Sequence, residues 1–264
     1  MNPVFSIITV VYNNEETIER TIESLLNQEF KDFEYIIIDG KSTDTTNEII
    51  DKYKDQFAGG FTHISEPDNG IYDAMNKGIT LAKGELIGLL NADDYYYSDT
   101  LLNVHNVFVN TDRKTVLTGE LIFKGEKKEL LLKTSRERFV KKTKRYMNGL
   151  RHPATFVPKL IYDDLGYFDT NYKIAADAEL MIRIYKADYQ FEFINKPLLV
   201  MTDGGASNSK GLYPQLMKEN RMLLGTYCSN PVLRIYYIML AQIRLATKEL
   251  FSGIIYTIRK LENT

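Results

Sequence analysis

The stretch Glu85-Leu86-Ile87-Gly88-Leu89-Leu90-Asn91-Ala92-Asp93-Asp94 decides how the chain is read. Its first six residues are largely apolar and match a buried strand of about five or six residues. A polar residue and two adjacent carboxylates follow at once. The carboxyl end of a buried strand is where open α/β sheets bind ligands. Neighbouring anionic side chains repel each other unless a cation or proton compensates them. Hard oxygen ligands suit Mg²⁺ or Mn²⁺, ions that commonly bridge carboxylates to phosphates. Taken alone, the stretch reads equally well as a metal–diphosphate site or as an Asp-rich turn or helix cap.

Upstream, strands and helices alternate. Val4–Tyr12 is β-branched and apolar, a buried parallel strand that ends at Asn13-Asn14. Glu15–Asn27 places Ile18, Ile22, Leu25 and Leu26 at helical spacing. Tyr35–Ile38 is a second strand, stopping at Asp39-Gly40. Ser42-Thr43-Asp44 looks like a helix start, and Thr46–Tyr53 continues helically. Phe61–Ile64 is a short third strand, Asn69-Gly70 a turn, and Ile71–Ala82 a helix ended by Lys83-Gly84. This alternation predicts an α/β fold with a mostly parallel central sheet flanked by helices. Tyr12-Asn13, Asp39-Gly40 and Asn91–Asp94 then share one edge, which one ligand crossing it explains better than three separate turns.

The second half is less regular. Leu117–Phe123 and Lys128–Leu132 read as a hairpin turning at Lys124-Gly125-Glu126. Ser135–Arg145 is strongly basic, as a solvated helix face would be, or as a contact for an anionic acceptor or phosphate. His152–Val157 is strand-like after a turn, and Asp163–Tyr167 reads as a short turn. Asp177 is placed to cap a helix with apolar Leu180, Met181 and Ile184, on which Glu179 and Arg183 are spaced to pair on the surface. Phe191–Ile194 and Pro197–Met201 are extended, and Gly204–Ser207 is a turn. Asn230-Pro231 marks a boundary. Val232–Leu261 is helical, apolar on one side, and carries Arg234, Arg244, Lys248, Arg259 and Lys260. That pattern fits a membrane surface, a partner, or packing on the core. The expected division is a domain over 1–210, with halves of about 1–110 and 111–210, and a C-terminal helical extension over 211–264.

The chain has 264 residues, 44% of them hydrophobic, and a formal net charge of −2. That suffices for one large domain with an appendage, and the balance argues against a nucleic-acid binder. Cys228 alone supports neither an intramolecular disulfide nor a thiolate zinc cluster. Met1–Phe5 lacks a basic segment leading into an apolar core, and no apolar run reaches bilayer length. The expected location is therefore cytoplasmic.

Several segments together resemble family-2 glycosyltransferases of the nucleotide-sugar-binding GT-A fold, in particular the branch that builds colanic-acid-type and other bacterial surface polysaccharides. They are Ser6–Asn13, Ile38–Thr46, Ser65–Gly78, Asn91–Asp94, His152-Pro153 and Asp177–Leu180, in the family's order over about residues 4–205. The resemblance implies a nucleotide-diphosphate sugar donor, usually a UDP-sugar, with inversion at the anomeric carbon. The acceptor would be a saccharide or lipid-linked, reached at the inner membrane face through the C-terminus. Thr9, Val11 and Tyr12 would line the base pocket, Tyr12 stacking on the ring. Asp39 would bond the base or ribose, with Asn13, Gly40 and Ser42 beside it, and Asp68 and Asn76 would line the donor cleft. Asp93 would ligate Mn²⁺ or Mg²⁺ through the diphosphate, Asp94 would support the sugar or the metal shell, and Asn91 and Ala92 belong to the same donor-binding stretch. Asp177 matches the catalytic base.

Three positions depart from the family pattern. Asn91 stands where an Asp-x-Asp would begin and offers a carbonyl oxygen without charge. Met75 replaces a frequent arginine, which leaves His152 or the stretch near Arg151 as the phosphate cation. Ala176 precedes Asp177 where a second acid is usual. Two other readings compete. One is a non-catalytic nucleotide-sugar-binding or scaffolding protein of the same fold. The other is a sugar-phosphate nucleotidyltransferase, whose Gly-rich phosphate loop Asn13–Glu16 does not supply.

Overall fold

The computed structural model describes residues 2–58, 60–125, 129–147, 149–202 and 212–243. The chain divides into two compact units, Met1–Asn208 and Ser209–Thr264.

Among the described residues, the first unit is built on one nine-stranded sheet. β1 (Phe5–Val11), β2 (Phe33–Asp39), β3 (Phe61–Ser65) and β4 (Leu86–Leu89) form its parallel part, in the order β3-β2-β1-β4. β1 and β2 are buried along nearly their whole length, as their unbroken apolar runs require. Their connections are α1 (Ile18–Leu26), α2 (Thr46–Asp51) and α3 (Ile71–Leu81). Ile18, Ile22 and Leu25 of α1 join Phe5, Ile7 and Val11 in the main core. α3 lies against Ile8 and Ile38: a Cβ on Gly78 would come within 2.4 Å of Ile8 and 3.4 Å of Ile38, so glycine is what lets the helix approach.

The later strands make the sheet mixed. β4 continues into β8 (Thr155–Pro158), β6 (Val116–Lys124), β9 (Phe191–Thr202) and β5 (Tyr95–Tyr96), with β7 (Glu129–Leu132) paired to β6. β6 and β9 are parallel, while β8, β7 and β5 each join antiparallel. The two late extended stretches are one strand, β9; register shifts beside Glu120 absorb the interruption at Pro197. The hairpin lies where the pattern placed it, although Glu126 and Lys128 fall outside the described residues.

Residues 95–115 show no clean period, yet they form β5 and α4 (Thr100–Phe108), whose Leu101, Val104 and Phe108 complete the main core. The basic stretch is α5 (Arg136–Thr143), capped by the Ser135 hydroxyl, which accepts from Arg138 N–H at 3.2 Å. The expected turn at Asp163–Tyr167 is instead the end of α6 (Lys159–Leu165), closed by Gly166 at φ 85°. α7 spans Ala176–Lys186, and its cap residue is Ala175 rather than Asp177.

The second unit holds α8 (Tyr213–Tyr227) and a further helix over residues 231–243. The Arg234 guanidinium ties the two together, donating to the Cys228 carbonyl at 2.8 Å and the Gly225 carbonyl at 3.4 Å. Gly204–Ser207 and the segment beyond Ile243 lie outside the described residues. No helix among the described residues is long and apolar enough to cross a membrane.

Candidate functional site

The carboxyl ends of β1, β2 and β4 lie side by side, and each carries a polar group. After β1, Tyr12 is 62% exposed, a large aromatic face turned to solvent. Asn13 takes a left-handed φ of 47°. Its N–H donates to Ser42 Oγ at 2.7 Å, and its side-chain oxygen accepts from Thr43 N–H at 2.8 Å. Gly40 N–H bonds the Val11 carbonyl at 2.8 Å. A Cβ on Gly40 would fall 2.6 Å from the Asp68 carboxylate and 3.5 Å from Tyr12, so this glycine keeps a narrow floor open between them. Asp68 is fixed by the Gly70 N–H at 2.8 Å. Thr9 is buried beneath and accepts from the Tyr35 hydroxyl at 3.0 Å.

At the end of β2, Asp39 is fully buried and accepts from four donor groups: Ser42 N–H, Ser42 Oγ, Ser65 Oγ and Asn47 Nδ2. Burial pushes its carboxyl up, but the hydrogen bonds outweigh it and hold the group below the usual carboxylate range. About four lone-pair sites are available on a carboxylate, and the chain itself occupies them.

The end of β4 is built differently. Asp94 is 1% exposed and accepts from Thr202 N–H at 3.1 Å and Asn91 Nδ2 at 3.0 Å. Burial, then the neighbouring Asp93 charge, pushes its carboxyl up to about 7 despite those bonds and the nearby His152. Asp93 is raised chiefly by burial, with Arg20 partly offsetting. Its backbone carbonyl is held by Arg20 Nη2 at 2.7 Å and Thr202 Oγ1 at 2.8 Å, while the Ala92 carbonyl accepts from Thr17 and Thr21. Asn91 Oδ1 is sealed from solvent and has no hydrogen-bond partner among the described residues. Thr202 ends β9, three strands from β4 in the sheet order, a separation of about 14 Å in a flat sheet. Its bonds to Asp93 and Asp94 therefore show the sheet curling inward at this edge.

The second half of the unit closes the site. α3 is bolted to the loop before α7: the Asn76 amide exchanges two hydrogen bonds with the Phe168 backbone at 2.9 and 3.0 Å, and the Tyr72 hydroxyl donates to the Ile174 carbonyl at 2.8 Å. Asn76 is thus engaged in the scaffold. Asp177, in the first turn of α7, accepts from Ala178 N–H at 2.7 Å. The Glu179–Arg183 pair is no surface pair, since Glu179 is 5% exposed and Arg183 also caps the Leu165, Gly166 and Tyr167 carbonyls. His152 Nδ1 lies 3.6 Å from Asp177 Oδ2, while the same imidazole is near enough to Asp94 to lower its carboxyl. His152 Nε2 is buried without a hydrogen-bond partner among the described residues. One imidazole therefore neighbours acidic groups from both halves. Met75 is buried at 1% exposure and offers no cation here.

Among the described residues, no three His, Cys, Asp or Glu side chains are grouped to cage a metal. A cation shared with a diphosphate needs only one or two carboxylates. Asp93, with the orphaned Asn91 oxygen beside a raised Asp94, fits that donor chemistry. Sequence pattern missed Arg20, Thr17, Thr21 and Thr202. Their contacts are to backbone atoms more than 70 positions away, which no local motif marks.

The family model for glycosyl transferase family 2 matches residues 6–160. A PGL/p-HBAD biosynthesis glycosyltransferase of Mycobacterium bovis is 28% identical over 184 residues, 69% of this chain and 70% of that protein. Among solved structures, S. aureus TarS 1-349 in complex with UDP-GlcNAc matches with a TM-score of 0.66 and 20% identity, over 90% of this chain and 70% of that one. In the longer TarS chain the match spans 42% of the length. The mannosyltransferase PcManGT of Pyrobaculum calidifontis, in complex with GDP-Man and Mn²⁺, matches with a TM-score of 0.64 and 16% identity, over 100% of this chain and 81% of that one. At these identities the structures show a shared GT-A fold.

Proposed function

The chain belongs to glycosyl transferase family 2, and from that premise we propose that it transfers a sugar, with inversion, from a UDP-sugar to a saccharide or lipid-linked acceptor in building a cell-surface glycan. The named relatives act in glycan assembly without pointing to colanic acid, so the product is read at that coarser level. One observation supports the reading: His152 Nδ1 lies 3.6 Å from Asp177 Oδ2 and the same imidazole bears on Asp94, which relates a group able to take a proton to the acids able to hold a charged leaving group.

The roles follow from position. Tyr12 stacks on the base over the floor kept open by Gly40, with Thr9, Val11, Asn13 and Ser42 shaping that pocket and Asp68 at its rim. Asp39 meets the nucleoside only by giving up one of its own hydrogen bonds, so its first task is to hold residues 42–47 in place. Asp93 would hold the divalent cation, Mn²⁺ or Mg²⁺, with Asn91 Oδ1 beside it, and when bound that ion supplies Lewis-acid stabilisation of the leaving diphosphate. Asp94, anchored by Thr202 and Asn91, sets the height of Asp93. Asp177 takes the acceptor hydroxyl proton as that oxygen attacks the anomeric carbon from the face opposite the diphosphate. His152, 3.6 Å from the Asp177 carboxylate, orients it. No covalent intermediate is required.

The test is Asp177→Asn. Transfer should fall by about 10²–10⁴-fold, the range for loss of a general base, while UDP binding stays within twofold by calorimetry. Near-normal turnover would remove Asp177 from this role.

The helix over 231–243 leaves Val232, Ile235, Tyr236, Met239 and Ile243 more than half exposed on one face. Together with the cations farther along the sequence, that face suits an anionic lipid surface at the inner side of the membrane. Flotation with anionic liposomes should recover the full chain and not a chain ending at Asn230; equal recovery would overturn this part.

A further inference from the structure

A second cavity, of about 500 Å³, opens beside β6 and is lined by Glu120, Lys133, Thr134, Ser135, Arg138 and Asn195. That volume is within the range of small-ligand sites. Glu120 is 8% exposed and lines the cavity. A carboxylate lining a cavity is an acceptor-only group, suited to the hydroxyls of a ligand.

The backbone places it there deliberately. The register between β6 and β9 shifts on both sides of Glu120, so Gly119 pairs with Ile194 and Glu120 with Pro197. Asn195 and Lys196 bulge from the ladder between those pairs, and Asn195 turns toward the cavity. The opposite wall is basic. Ser135 caps α5 and so fixes the turn that carries Arg138. Arg138 is close enough to Arg151 that its charge adds to burial in lowering the Arg151 guanidinium. Arg151 is followed directly by His152, which faces Asp177. Arg138, which lines the cavity, is thus a charge neighbour of Arg151, the residue before His152.

We infer that this cavity binds a phosphorylated sugar of the acceptor, the sugar hydroxyls donating to Glu120 and the phosphate lying on Lys133 and Arg138. A phosphate alone would be repelled by Glu120, and a neutral sugar would leave the two cations unanswered. Both groups together answer all three side chains. The inference deepens the glycosyltransferase reading and rests on it for the identity of the acceptor.

The test is ligand-observed NMR titration of the full chain held in saturating UDP and Mn²⁺. The probes are the 1-phosphates of glucose, galactose, mannose and N-acetylglucosamine, with free glucose and inorganic phosphate as comparators. At least one sugar 1-phosphate should bind saturably, and about tenfold more tightly than either comparator. Glu120→Gln should weaken it about tenfold, and Lys133→Ala with Arg138→Ala, both exposed positions, should abolish its advantage over glucose. UDP affinity should stay unchanged in all variants. Absence of saturable binding by every probe, unchanged binding in the variants, or inorganic phosphate binding as tightly as the sugar phosphates would each overturn the inference. Failure of the unaltered chain to bind UDP would count instead against the donor reading.

Discussion

Two buried carboxylates at the ends of neighbouring regions of the sheet have opposite fates. Asp39, after β2, receives four donor groups from Ser42, Asn47 and Ser65, and its carboxyl is held below the usual range. Asp94, after β4, receives two and sits beside a second carboxylate, so burial and like charge push it up to about 7. Burial is common to both; the supply of donors is not. The first strand end is complete without a ligand. The second is left short of positive charge at the point where a diphosphate-bound cation would supply it. A cluster of acids thus marks a ligand site only where the chain has not already answered the charge.

The largest expected break in this comparison is Asp93→Ala. Mn²⁺-dependent UDP binding should fall by about tenfold or more, as lost charge-assisted contacts of about 1.5–3 kcal/mol imply. Calorimetry with and without Mn²⁺ measures it, and equal affinities would contradict the assignment. The converse change, Asp39→Asn, should lower the melting temperature by about 4–8 °C, on about 2 kcal/mol of lost hydrogen bonding. It should leave the ratio of UDP affinities with and without Mn²⁺ within twofold; a loss of metal dependence would show the two strand ends to be less distinct than argued.

Asn91→Asp sharpens the contrast. Replacing the amide that donates to Asp94 adds a third carboxylate, so the metal-free melting temperature should drop by about 2–4 °C. The gain in melting temperature on adding Mn²⁺ and UDP should grow beyond that of the unaltered chain. No change in either would mean that Asn91 Oδ1 does not face the cation.

The smallest effect is in pH. The Asp39 carboxyl is lowered in the folded state, so its stabilisation is fully present above the unfolded value of about 3.9 and is lost as pH falls through the folded value. The gap in melting temperature between the unaltered chain and Asp39→Asn should be constant from pH 5 to 7 and narrow below about pH 4. A gap independent of pH would assign the loss to packing.

The sequence was most legible where local pattern and burial agree. β1, β2 and β4 are buried on both faces, so apolar runs mark them and polar residues mark their ends. The hairpin of β6 and β7 was equally clear. α4, β5 and α6 were not, because their apolar residues serve a curved, mixed sheet and keep no single period. The pairing of Glu179 with Arg183 was visible as spacing, but its burial beneath the Leu165–Tyr167 carbonyls was not.

By itself the sequence determined the alternation of strand and helix, the edge on which Tyr12, Asp39 and Asp93 stand, and the family to which the chain belongs. Those are consequences of periodicity and of short motifs, each contained within a few residues. Only the tertiary structure decided that Asn76 is engaged in scaffold contacts, that Thr202 and Arg20 hold Asp93 from the far ends of other elements, and that His152 links Asp177 to Asp94. Charge and hydrogen-bond supply depend on what stands within a few ångströms, and in this chain those neighbours come from positions 70 to 110 residues apart.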